Sequence, residues 1–96
     1  MAKRYFVRIE LHGENDYTEL HKEMKSRGFS RKITVEGTKK KLPTGCYIRD
    51  AGSGCTSRAQ AVAKAQAAAK AVGHDDPEIV VIKTEDRLST AGLPDA

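Results

Sequence analysis

Arg4-Tyr5-Phe6-Val7-Arg8-Ile9-Glu10-Leu11-His12 decides how the rest of the chain is read. Tyr5, Val7, Ile9 and Leu11 alternate with Phe6, Arg8, Glu10 and His12. That is the period of a strand with one buried face. Gly13 ends it.

Outward from this strand, residues 16–27 predict a helix. Asp16 and Glu19 have the spacing of a capping box. Tyr17, Leu20, His21 and Met24 form one helical stripe, and Gly28 provides a stop. Residues 29–36 return to alternation, and 36–41, with Lys39, Lys40 and Lys41, read as a turn or mobile loop. Pro43 delays the next strand to Gly45–Asp50. There Cys46 and Ile48 are expected to face the core, and Tyr47 and Arg49 the opposite way. Thr56 or Ser57 caps a second helix running to Val72. Its small-residue stripe is Ala61, Val62, Ala65, Ala68, Ala69 and Val72. Such a stripe lets a helix approach a sheet closely. Ile79–Ile82 is a further strand, apolar on both faces.

The element order is β-α-β-β-α-β. Short connections and right-handed crossovers leave few arrangements of it. The expected fold is α+β and ferredoxin-like (split βαβ), with a four-stranded antiparallel sheet of order 4-1-3-2 and both helices on one face. Residues 1–84 are expected to be one domain, and 85–96 a polar, flexible tail.

Composition sets the outer limits. The 96 residues suit one domain with a modest core. Hydrophobic residues at 39% and charged residues at 31% suit a globular chain rather than a disordered one. A net charge of +4 is compatible with nucleic acid without requiring it. The two cysteines match no zinc spacing and are expected to stay reduced. No apolar run has the length of a membrane span, and the first residues lack a signal peptide's apolar core, so a cytoplasmic location is expected.

In the expected fold, the sheet face away from the helices displays Phe6, Arg8, Lys32, Tyr47 and Arg49. Aromatic rings that stack on unpaired bases, beside cations that neutralise phosphate, are the chemistry of single-stranded RNA binding. The strand at 45–50 departs from the RNA-recognition-motif signature. The competing use of the same face is a homodimer interface, extended by Ile79 or Val80. On a hairpin tip, Lys39–Lys41 would also grip a phosphate backbone, with salt-sensitive affinity.

The segments at 5–13, 28–31 (Gly-Phe-Ser-Arg) and 42–45 (Leu-Pro-Thr-Gly) resemble small bacterial proteins of the GhoS-type antitoxin endoribonuclease family. The resemblance is best in the first half of the chain. It implies a ferredoxin-like fold and cleavage of a toxin's messenger RNA without a cofactor. Such cleavage needs a base for the ribose 2′-hydroxyl and a cation for the developing phosphate charge. His21, His12 and Asp50 are the available bases. Arg8, Arg31 and Arg49 are the available cations. The alternative is a non-enzymatic domain that dimerises through its open sheet face.

Overall fold

The computed structural model describes residues 3–13, 16–35, 37–52, 54–84 and 91–96. The central strand is β1, Arg4–Glu10. It is flanked by β4, Cys46–Asp50, and β5, Glu78–Thr84, in a three-stranded antiparallel sheet of order β4-β1-β5. Helices α1, Thr18–Ser26, and α2, Arg58–Ala71, cover one face. Strands β2, Lys32–Val35, and β3, Thr38–Lys41, form a separate two-stranded hairpin.

The Ser57 cap of α2 forms as expected, but the Asp16–Glu19 capping box does not: α1 starts from Tyr17, whose side chain makes no cap bond, and Glu19 bonds Lys22 instead. Asp16 Oδ1 accepts from the Thr18 N–H at 2.9 Å. Ser57 accepts from the Gln60 N–H at 3.2 Å, and Gln60 reaches back to the Thr56 N–H at 2.7 Å. These bonds satisfy amides that a helix N-terminus otherwise leaves unpaired. Leu20 and Met24 of α1 are buried, as are Ala61, Ala65, Ala68 and Ala69 of α2. They pack on Tyr5, Val7 and Ile9.

The four-stranded sheet of order 4-1-3-2 is not formed. The segment after α1 pairs with β4 through one isolated backbone bridge: Ser30 and Ile48 exchange both backbone hydrogen bonds, at 2.7 and 2.8 Å. The chain then leaves β4 and pairs with Thr38–Lys41, which is a strand rather than a mobile loop. The reason lies in apolar area. Ile33 and Val35, with Leu42 and Leu93, pack on Cys46, Ile48 and half-buried Phe6. Folding the hairpin onto the sheet buries them against each other, at roughly 25 cal/mol per Å² of apolar area.

The register of β4 also differs from expectation. Val7 lies opposite Tyr47 and Tyr5 opposite Arg49, while Phe6 faces Ile48 and Arg8 faces Cys46. Directly opposed residues share a face. Tyr47 and Arg49 therefore turn toward the helices, and Cys46 and Ile48 turn away. All four are buried, so β4 is covered on both faces. Alternation carries no polarity for such a strand, and a slip of one residue inverts it. Gly45 sets the entry. Its φ is +87°, and its carbonyl accepts from the Ile9 N–H at 2.7 Å. A Cβ there would lie 2.7 Å from the Ile9 carbonyl oxygen.

The C-terminal residues dock on the hairpin. Lys41 donates to the Pro94 carbonyl at 2.9 Å, Ala96 donates to Lys39 at 3.0 Å, and Lys40 is ion-paired with Asp95. Residues 85–90 of the expected tail lie outside the described residues. No helix among the described residues is long and apolar enough to cross a membrane.

Candidate functional site

Two groups of side chains carry chemistry. The first lies where α1 meets β4. His21 follows Leu20 on the helix, so its ring sits at the border of the buried stripe. The Tyr47 hydroxyl comes up from the sheet beneath it. His21 Nδ1 and Tyr47 Oη are hydrogen-bonded at 2.7 Å, with ring centroids 5.7 Å apart. Tyr17, one helical turn before His21, stands 6.4 Å from it. The Tyr17 hydroxyl is held by the Leu11 N–H at 2.9 Å.

Burial, helped by the Arg31 guanidinium, lowers the His21 pKa below 6.5, with Asp16 pulling the other way. Burial pushes the Tyr47 phenol well above its ordinary range. At neutral pH both groups are uncharged. A neutral ring has one N–H. With that proton on Nδ1 and donated to Tyr47, Nε2 keeps a free lone pair and can take a proton. Arg31 is near enough to act on both rings electrostatically. Its Nε is buried with no hydrogen-bond partner among the described residues.

The second group is the outward face of the hairpin. Lys32 lies opposite Lys41, and Thr34 opposite Lys39, so three ammonium groups share one side. Lys32, Lys39 and Lys41 are exposed, and none is ion-paired among the described residues. Lys40 lies opposite Ile33 on the other side, where it meets Asp95. Like charges opposed across a strand pair are destabilising.

The remaining expected site residues are dispersed. Tyr47 is fully buried and cannot serve as a stacking platform. Arg49 is 9% exposed. It donates to the carbonyl of Arg27 at the end of α1 and to that of Gly52 at 2.9 Å, and lies 5.7 Å over the Phe29 ring. A cation suits the negative end of a helix dipole, and this one ties α1 to the turn after β4. Gly28, with φ +90°, makes room for it, since a Cβ there would lie 2.6 Å from Arg49 Nη1. Phe6 is half-buried in the small core under the hairpin. Arg8 is exposed on the uncovered part of the sheet, 3.7 Å from Glu10. His12 stands 4.0 Å from Glu78 at the β5 side, and Asp50 is exposed at the end of β4. Among the described residues, His21 is the candidate base that lies within electrostatic reach of a candidate cation, Arg31.

Lys39 and Lys41 join Lys32 only through pairing. Their signal in the sequence is the lysine run, read there as part of a loop. Cys46 and Cys55 are free thiols in different clusters, and burial raises the Cys46 pKa. Among the described residues no group of three His, Cys, Asp or Glu side chains can hold a metal ion. Compared with protein-family models, curated proteins and solved structures, the chain matches none.

Proposed function

We propose that the protein interacts with RNA, the phosphate backbone running along Lys32, Lys39 and Lys41, and that it acts as a metal-independent endoribonuclease of the antitoxin type. The observation that carries the binding is the Lys32–Lys41 cross-strand pair with Lys39 beside it. A fold that sets like charges side by side, against the local rule, gains stability when a polyanion lies across them. The resemblance at 5–13, 28–31 and 42–45 supports RNA over other polyanions.

Cleavage in this reading uses His21. Nε2 takes the proton of a ribose 2′-hydroxyl, and the 2′-oxygen attacks the adjacent phosphorus. The bond to the 5′-oxygen breaks, and that oxygen leaves with a proton supplied by solvent. The products are a 2′,3′-cyclic phosphate and a 5′-hydroxyl. Arg31, next in the chain to Lys32, offsets the charge that grows on the phosphate.

Binding of a fluorescent single-stranded RNA, followed by anisotropy over a salt series, tests the surface. Each backbone contact to a single strand contributes about 0.7 to the log–log salt slope. Replacing Lys32, Lys39 and Lys41 by Ala is expected to flatten the slope by about 2. An unchanged slope and affinity would overturn the reading. His21→Gln is expected to keep binding and to abolish appearance of the cyclic-phosphate end.

A further inference from the structure

We infer that β5 pairs with the β5 strand of a second copy of this chain. This surface lies at the opposite edge of the sheet from the lysine hairpin and stands apart from the RNA reading. Among the described residues, β5 is paired with β1 on one side only, and the sheet ends there. All seven residues, Glu78–Thr84, hold register with β1 without a bulge. A long regular edge leaves a row of backbone donors and acceptors ready to pair with another strand. Proteins usually blunt such edges with bulges, proline or inward charges; along β5 the inner-face charge is Lys83, opposite Tyr5 near the strand's end. Here the outer face carries Val80 and Ile82, 58% and 55% exposed, the large hydrophobics left uncovered among the described residues.

The strand is complementary to itself. Antiparallel pairing centred on Val81 keeps inner and outer faces matched. It sets Val80 against the partner's Ile82, and Ile82 against the partner's Val80. The four side chains form one apolar row, with Phe6 of each copy beside its own Ile82. The charges match as well. Glu10 and Glu78 are directly opposed at one end of the β1–β5 pair, relieved only in part by Arg8 and His12. Arg4, opposite Thr84, lies at the other end of the same face, while Lys83 lies on the helix-side face opposite Tyr5. The two-fold pairing brings the Glu10–Glu78 end of each copy beside the Arg4 end of the other. A closed, isologous interface of this kind adds main-chain hydrogen bonds to the apolar contact.

Sedimentation velocity over a concentration series tests the pairing. The wild type is expected at twice its 10.5 kDa mass. Ile82→Lys and Val80→Glu are expected to sediment as monomers with unchanged circular dichroism, because both positions are exposed. Oxidation of Val81→Cys is expected to give a covalent dimer, since the two residues meet on the symmetry axis. Glu78→Cys is expected not to cross-link, its two copies lying about 20 Å apart in this register. A wild type monomeric at several hundred micromolar would overturn the inference. So would folded dimers of both charge variants, or equal cross-linking of the two cysteine variants.

Discussion

The two faces of the β4-β1-β5 sheet are finished in different ways. The helix-covered face is closed: Tyr5, Val7 and Tyr47 are fully buried there, with Ile9, Leu20 and Met24 at most 1% exposed. The other face is closed only over β4, where the hairpin lays Ile33 and Leu42 on Cys46 and Ile48. Toward β5 it stays open, with Val80 and Ile82 in water. The difference is one of supply. Two helices bring enough apolar area for one whole face. A four-residue strand paired with a lysine-rich one brings enough for part of the other. The candidate chemistry follows this division. His21 and Tyr47 sit where the closed face meets its rim, and the lysines sit on the outside of the partial cover.

The contrast can be tested by cutting into each core. Met24→Ala removes a fully buried side chain from the helix side and is expected to cost about 2–5 kcal/mol. Ile48→Ala opens the smaller core, which can collapse more easily, and is expected to cost about 2 kcal/mol. Denaturant melts of the two variants compare them. A larger loss for Ile48→Ala would reverse the ranking of the two cores.

A smaller effect, of opposite sign, is expected on the hairpin. Lys41→Glu turns the opposed lysine pair into an attractive one and is expected to stabilise the fold by about 0.2–1 kcal/mol, while weakening RNA binding. A fall in both stability and binding would mean that the Lys41 side chain holds the hairpin together.

The smallest effect concerns pH. Burial lowers the His21 pKa below its ordinary 6.5. Below 6.5 the unfolded chain therefore binds more protons at this residue than the folded one. Its contribution to stability is complete above 6.5 and is lost as pH falls. Between pH 7.5 and 5.5 the wild type is expected to lose more stability than His21→Gln, as read from denaturation midpoints. Equal losses would remove His21 from the account.

Much of this was legible along the chain. The Ser57 cap, the Asp16 bond to the first amide of α1, the alanine stripe of α2 and the alternation of β1 are local patterns whose physics is complete within one segment. They gave β1, both helices, β4 and β5. The hairpin strand β3 was not legible, because Thr38–Lys41 carries no buried face of its own and holds its shape through Ile33, Val35 and the chain's C-terminal residues. The facing of Tyr47 and Arg49 was not legible either. His21 could be picked out as a candidate base, but its bond to Tyr47 depends on that facing.

What the sequence alone determined, then, is the set of elements apart from β3, their order along the chain, and the central place of Tyr5-Phe6-Val7-Arg8-Ile9. Period and capping are properties of neighbours in the chain. What only the tertiary structure decided is which face of β4 meets the helices and where β2 goes after Ser30. Both faces of β4 are buried, so its own pattern carries no polarity. The choice falls to volume and to uncovered apolar area: Tyr47 fits beneath the helices, and Cys46 and Ile48 are left for the hairpin to cover.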